Sequence, residues 1–411
     1  MKQKLFTRNF MLLILGQISS LFGNITLKFA LSMYVLEVTG SATLFATLLA
    51  IATVPTILLS PFGGILADRA NRRNIMVALD FLSGLTMLLT VIFFSEQNAI
   101  PVIGVILVVL SILGAFESPT VQACIPQMQT GDNIIRANAV VNQVTAVSAL
   151  IAPVLGSLLY TAFGLRPIMI VSAGSFFITA LFECFIKLDY VREKSAEGLA
   201  QIIKSDFLTS MRFIVKEQPG ILKVLLLAAT VNFLLTGAIG IGLPFIVRTV
   251  LGLGAEHYGI AESVIALAAI VGSISVGFLV TKIKTKSLYL LIAVLGLSFI
   301  PAGLIFLLPV GATPQYIMVL ASMFIMQLVA CVFSIFALSA IQQRTPNELI
   351  GKIMAYVTTI SLCAQPLGQM AYGVLFDSFP HAIYLILIPT GIFVFVIALA
   401  SKKTFRVLDI Q

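Results

Sequence analysis

Tryptophan is missing from these 411 residues, and charge is scarce: Asp, Glu, Lys and Arg together make up 10%, against roughly 25% in an ordinary soluble chain. With 59% of the residues hydrophobic, a water-soluble core could not hide the apolar surface. Cysteine is nearly absent too. Cys124, Cys184, Cys331 and Cys363 stand far apart without CxxC spacing, so neither a metal site nor a disulfide framework is implied, and small apolar packing is their expected use. No HExxH motif, nucleophile elbow or paired catalytic carboxylates occur, which argues against an intramembrane enzyme. A phosphate-binding GKS or GKT loop is also lacking, which argues against an ATP-driven pump within this chain. No catalytic residue, metal or cofactor is therefore expected. Without Trp, an interfacial aromatic belt must rest on residues such as Tyr160, Tyr190, Tyr258, Tyr289 and Tyr316.

What the chain does have is long apolar runs, and about 20 such residues cross a bilayer. Twelve can be counted: 9 to 36, 43 to 66, 75 to 95, 100 to 123, 137 to 163, 168 to 188, 222 to 249, 257 to 281, 288 to 309, 314 to 340, 352 to 376 and 382 to 401. The first is too long for a cleavable signal and lacks its small-residue cleavage site. Helices are required, because a chain in lipid must satisfy its own backbone hydrogen bonds and these runs lack the alternation of barrel strands. Of the 25 Lys and Arg residues, 22 fall before the first run, after the last, in alternate connections or at the run ends that border those connections. Arg166 and Arg248 fall opposite, and Lys28 lies inside the first run. Basic residues stay on the cytoplasmic side, so both termini are expected there, in a bacterial inner membrane. The net charge of +8 thus reflects topology and attraction to anionic lipid, with no need of a nucleic-acid partner.

One polar stretch divides the runs six and six. The expected organisation is an N-terminal bundle over 1–188, a cytoplasmic central loop with a short amphipathic segment over 189–221, and a C-terminal bundle over 222–411. The halves echo each other at a shift of 213 positions: Gly64 with Gly277, Arg69 with Lys282, Arg73 with Lys286, and Pro153 with Pro366. This shared offset predicts an all-α membrane protein of twelve transmembrane helices, in two six-helix bundles related by pseudo-twofold symmetry about the membrane normal. A solute path would lie at their interface.

Between runs two and three stands Gly64-Ile65-Leu66-Ala67-Asp68-Arg69-Ala70-Asn71-Arg72-Arg73. It resembles the major facilitator signature G-x-L-x-D-R-x-G-R-(K/R), with Asn71 in place of the second glycine. Asn tolerates left-handed backbone better than most residues. Gly64 is expected to let helix 2 pack closely, Asp68 to meet the positive end of a neighbouring helix, and Arg69, Arg72 and Arg73 to hold headgroups or pair with carboxylates. By this resemblance the loop is a cytoplasmic latch; any single Arg in it would read as topology alone. Ala152-Pro153-Val154-Leu155-Gly156-Ser157 is similar to the antiporter pattern G-P-x-x-G-G, although Pro and small residues equally serve close packing. VLEVTGSA and FESPTVQACIPQM give the N-terminal half the look of the macrolide-efflux branch of drug:proton antiporters.

Charges inside the membrane are costly and mark function by default. Counting about 1.5 Å per residue, Lys28 lies roughly 8 Å from the middle of helix 1, with Asn24 one turn nearer the midplane. Lys28 either serves the substrate cavity or snorkels to the surface. Glu117 lies roughly 8 Å to the other side of centre in helix 4. It is either a proton carrier, since a carboxylate in low dielectric can load and release a proton near neutral pH, or a structural group at a helix end. Asp80, Glu183 and Glu262 count out nearer the interfaces and read as structural. The family resemblance places helices 1, 4, 7 and 10 around the cavity, making Asn232 and Gln327 uncharged polar contacts. Gly237, Gly240, Gly242 and Pro244 should make helix 7 bendable.

Few charges with many Phe and Met residues suit a large, mostly apolar solute. The expectation is proton-coupled export of lipophilic small molecules by a monomer. A proton-independent facilitator or importer of another small or lipid-like solute, and a non-transporting receptor or scaffold, remain alternatives.

Overall fold

In the computed structural model, the described residues are 5–188, 219–279, 282–345 and 350–410. The expected central-loop segment of 189–221 lies almost wholly outside them. Twelve long helices run in chain order: α1 Arg8–Thr39, α2 Ala42–Arg69, α3 Arg72–Phe93, α4 Ala99–Met128, α5 Asp132–Phe163, α6 Leu165–Cys184, α7 beginning at Pro219–Gly237, α8 Ala255–Leu279, α9 Leu288–Leu304, α10 Ala312–Gln343, α11 Ile350–Ser378 and α12 Tyr384–Ile410. α7 continues through π-helical turns at Ala238–Gly242 and Ile246–Val250, joined by Leu243–Phe245. Among the described residues there is no strand. Eleven of the helices are long and apolar enough to cross a membrane, and α11, at 29 residues, is the twelfth. Large side chains such as Phe93 (68% exposed) and Phe278 (74%) point outward, which only a hydrocarbon surround accommodates at this frequency.

The helices overrun the apolar runs, α4 to Met128 and α12 to Ile410. Backbone hydrogen bonding continues past the point where hydropathy falls, so caps set the ends. Thr7 caps α1 by accepting from the Phe10 N–H at 3.3 Å, and Gly40 ends it at φ 60°, its N–H reaching Leu36. Only the left-handed conformation makes that stop, and glycine adopts it without strain.

The helices sort into two compact units. Unit 1 gathers α1, α2 from Leu48 onward, α3 to α6, and the segment Gly254–Ser263 at the start of α8. Unit 2 gathers Ser41–Thr47, α7, α8 from Val264 onward, and α9 to α12. Within unit 1 the main pairings are α3 with α6, α1 with α6, α1 with α5 and α3 with α4. Unit 2 repeats three of these as α9 with α12, α7 with α11 and α9 with α10. The fourth, α1 with α6, has only a slight counterpart in α7 with α12.

That distinctive seam is built from small and hydroxyl residues, as helices packed in lipid require. Along antiparallel α1 and α6, the Ser172 hydroxyl donates to Gly23 O at 2.9 Å, Ser19 to Ser175 O at 3.0 Å and Thr179 to Gly16 O at 3.1 Å. Past the end of α6, Asn9 closes the ladder by donating to Lys187 O and accepting from its N–H. Unit 2 relies more on glycine and aromatic contacts. Gly296 and Gly391 bring α9 and α12 to backbone contact, where a Cβ on either would meet the other's carbonyl within 2.8 Å. Gly237 and Gly242 of α7 receive the rings of Tyr372 and Phe376 on α11.

The start of α2 is held inside unit 2 by a carboxylate. Asp377 at the end of α11 accepts from the Ser41 hydroxyl at 2.6 Å and from the N–H groups of Ala42 and Thr43 at 2.7 and 2.9 Å. These are orphan donors of a helix N-terminus, where negative charge is favoured. Asp377→Ala should therefore cost about 1–2 kcal/mol and lower the melting temperature of the purified protein, while Asp377→Asn, still an acceptor, should lose less.

Candidate functional site

Asn24 and Lys28 share one face of α1. Their neighbours Gly23, Thr26, Leu27 and Phe29 are buried, whereas Lys28 is exposed and Asn24 half-buried. The Asn24 carbonyl oxygen is buried without a hydrogen-bond partner. Among the described residues Lys28 forms no ion pair, leaving a cation and an unpaired acceptor one turn apart. Phe29 stacks on Tyr258 with ring centroids 5.0 Å apart, and the Tyr258 hydroxyl donates to Glu262 at 2.6 Å. Unit 1 therefore brings Glu262, which residue counting set near an interface, into the same neighbourhood as the Lys28 turn.

Glu117 is half-buried on α4 of the same unit. It acts electrostatically on two other acids, Asp80 of α3 and Glu183 of α6. Both are fully buried at 0% exposure, enclosed by neighbouring helices.

In unit 2, the Asn232 side chain donates to Ser361 O on α11 at 2.9 Å. Its amide nitrogen thus braces α7 against α11. Gln327 is half-buried on α10, between Met326 and Leu328. Along α7, Gly237 and Gly242 accommodate α11 rings while Gly240 faces open space, and two π-helical turns distort the helix.

Two readings of the α2–α3 turn change. The close approach belongs to Gly63, not Gly64. A Cβ at Gly63 would run into the Ala115 carbonyl and Phe116 of α4, whereas one at Gly64 meets nothing within 4 Å. Asn71 is not left-handed: at φ −68° and ψ 108° its side chain accepts from the Asn74 N–H and caps α3. An N-cap is the other use for which Asn is favoured. Arg72 and Arg73 reach main-chain carbonyls. Arg72 donates to Ala67 O and Ala123 O, both at 2.8 Å, and Arg73 donates to Cys184 O. Guanidinium groups there complement the partial negative charge at the carboxyl ends of α2, α4 and α6. Asp68 and Arg69 lie in the last turns of α2 with their side chains outside the described residues.

Residues 13–368 match the family model of the Major Facilitator Superfamily. The chain belongs to that superfamily. It is 22% identical over 405 residues to Macrolide efflux protein A of Streptococcus pyogenes, covering 96% of each chain. Over 246 residues it is 30% identical to the Multidrug resistance protein MdtG of Yersinia enterocolitica, covering 58% of this chain and 55% of that one. A solved bacterial homologue of the iron transporter ferroportin superposes with a TM-score of 0.75 at 16% identity, covering 98% and 99% of the two chains; that likeness concerns the fold alone.

As a major facilitator transporter, the chain is a multi-pass membrane protein whose 2–3 turn anchors three helix ends of one unit. Sequence reasoning missed Asp80 and Glu183 as interior groups. One signal was present: Glu183 falls in phase with Ser172, Ser175 and Thr179, and Asp80 with Met76, Ser83 and Gly84, placing each acid on a buried helix face. For the turn itself, Gly63→Ala should destabilise by about 1–3 kcal/mol, because a backbone carbonyl cannot step aside as a flexible side chain does. Gly64→Ala should leave the melting temperature of the purified protein unchanged.

Proposed function

We propose that this chain is a secondary active exporter of lipophilic, drug-like small molecules, driven by protons and working by alternating access. Full-length similarity to Macrolide efflux protein A, at 96% of both chains, is the observation that carries this reading. The similarity to MdtG supports it from a second side. In this reading the N-terminal bundle 1–188 and C-terminal bundle 222–411 rock about a central path, joined by the loop 189–221. A monomer suffices, and both termini lie in the cytoplasm of a bacterial cell.

Lys28 and Asn24 supply the polar contacts of the substrate cavity in unit 1. Their unpaired state supports this, because a buried acceptor without a donor is costly unless a solute or water completes it. Gln327, with the remaining hydrogen-bonding capacity of Asn232, contributes from unit 2. Glu117 carries the proton, half-buried where it can exchange with solvent and still feel the interior acids. Gly64, Asp68, Arg69, Arg72 and Arg73 form the cytoplasmic latch, with Arg72 and Arg73 anchoring it to helix ends.

The test is efflux of a lipophilic dye from proteoliposomes with and without an imposed pH gradient. Wild-type flux should collapse when the gradient is dissipated, and Glu117→Gln should reduce gradient-driven flux to the protein-free leak. Lys28→Ala should raise KM about tenfold, the loss of roughly 1.4 kcal/mol of binding, with kcat little changed. Flux indifferent to the gradient would point to a facilitator, and no flux of any tested solute to a receptor or scaffold.

A further inference from the structure

Two acids that the cavity does not use meet in the interior of unit 1. Asp80 projects from α3 and Glu183 from α6, and their carboxyl groups face each other within hydrogen-bonding reach. α3 and α6 are antiparallel, and side chains lean toward the amino end of their own helix, so the two acids converge from opposite directions. All four carboxyl oxygens are buried, and no hydrogen-bond donor completes any of them. The Ser20 hydroxyl lies beside Asp80 without reaching donor geometry. Among the described residues no cation comes within ion-pair distance of either acid. The nearest guanidinium groups, Arg72 and Arg73, are turned to the carbonyls of Ala67, Ala123 and Cys184.

An ionised carboxylate only accepts hydrogen bonds. Two of them in contact, dry and without a counter-charge, would set like charges against each other where the interaction is least screened. A single proton removes the conflict, since a carboxylic acid donates to the carboxylate facing it. The surroundings are suited to keeping that proton in place. One turn from the pair, Met76 and Ile186 join Phe10, Leu13, Cys124 and Ile125 in an apolar cluster at the end of the unit that bears the α2–α3 turn. α1 contributes only uncharged groups to this interior, Gln17, Ser20 and Gly16, the last packing near the Glu183 side chain. From α4 come Glu117 and the buried Cys124.

We infer that Asp80 and Glu183 share one proton and form a proton-binding site inside unit 1, separate from Glu117. Its role in transport rests on the proton-coupled reading above, whereas its occupancy by a proton does not. Glu117, half-buried and acting electrostatically on both acids, is the group through which that proton exchanges with solvent.

Infrared spectroscopy of the purified full-length protein in lipid nanodiscs tests the site without substrate or gradient. At about pH 7, the wild type should show a protonated-carboxyl band that both Asp80→Asn and Glu183→Gln remove and Glu117→Gln retains. Asn and Gln supply the donor that the proton otherwise provides, so both variants should fold. A carboxyl band untouched by either substitution would overturn the site. In proteoliposomes, Asp80→Asn should bind dye yet lose the response of flux to the pH gradient. Absence of gradient-driven flux in the wild type would instead defeat the transport reading and leave the infrared result standing.

Discussion

Inside a hydrocarbon layer there is no water to complete an unmade hydrogen bond, so every polar group in a spanning helix must find its partner within the protein or be kept for a purpose. Most of the polar side chains here follow the first course in a plain way. Thr47, Thr53, Thr90, Thr230 and Ser275 each return a hydroxyl hydrogen bond to the carbonyl one turn earlier on their own helix. The α1–α6 ladder uses the same donors between helices. Against that background, a buried oxygen left without a donor is an exception to be accounted for. Those of Asn24, Asp80, Gln129 and Glu183 lie in unit 1, and that of Gln369 lies in unit 2.

The two units solve the packing problem differently although they share most of their helix pairings. Unit 2 brings helices together where glycine meets backbone or ring: Gly296 with Gly391, Gly368 against Phe233, and Gly237 against Tyr372. Such contacts use dispersion and need no polar atoms. Unit 1 joins α1 to α6 through hydroxyl groups and small residues, and that polar seam ends beside Glu183. A seam already lined with Ser and Thr is the place where an acid can be admitted to a membrane interior, because the neighbouring side chains are small and polar.

The architecture was largely legible because it follows from run length, which lipid thickness dictates, and from an offset preserved between the halves. What could not be read was depth and partner. Residue counting assumes straight helices normal to the membrane, and on that basis Asp80, Glu183 and Glu262 came out near the surface. Packing adds what a count along one helix does not show, since α3, α6 and the start of α8 each turn these residues toward neighbouring helices. The motif between α2 and α3 was recognisable as a string, but which glycine touches α4 depends on the helical phase of α2 relative to a helix fifty residues on. Arg72 and Arg73 present the same limit: their charge was evident, yet the carbonyls they hold become visible only when the ends of α2, α4 and α6 are brought together.

Duplication gave the chain two similar bundles, and the distribution of acids shows how unequal they have become. Asp80, Glu117, Glu183 and Glu262 all belong to unit 1. Among the described residues, the acids in the helices of unit 2 are Asp377, whose oxygens are occupied in capping α2, and Asp409 near the end of α12. A group spent on a cap has donors that fix its charge, and it contributes stability. Asp80 and Glu183 have no such donors, and Glu262 accepts from a tyrosine hydroxyl. Unit 1 therefore keeps buried acids beside its polar seam, while unit 2 has the distorted helix: α7, with its two π-helical turns and its glycines packed on the rings of α11.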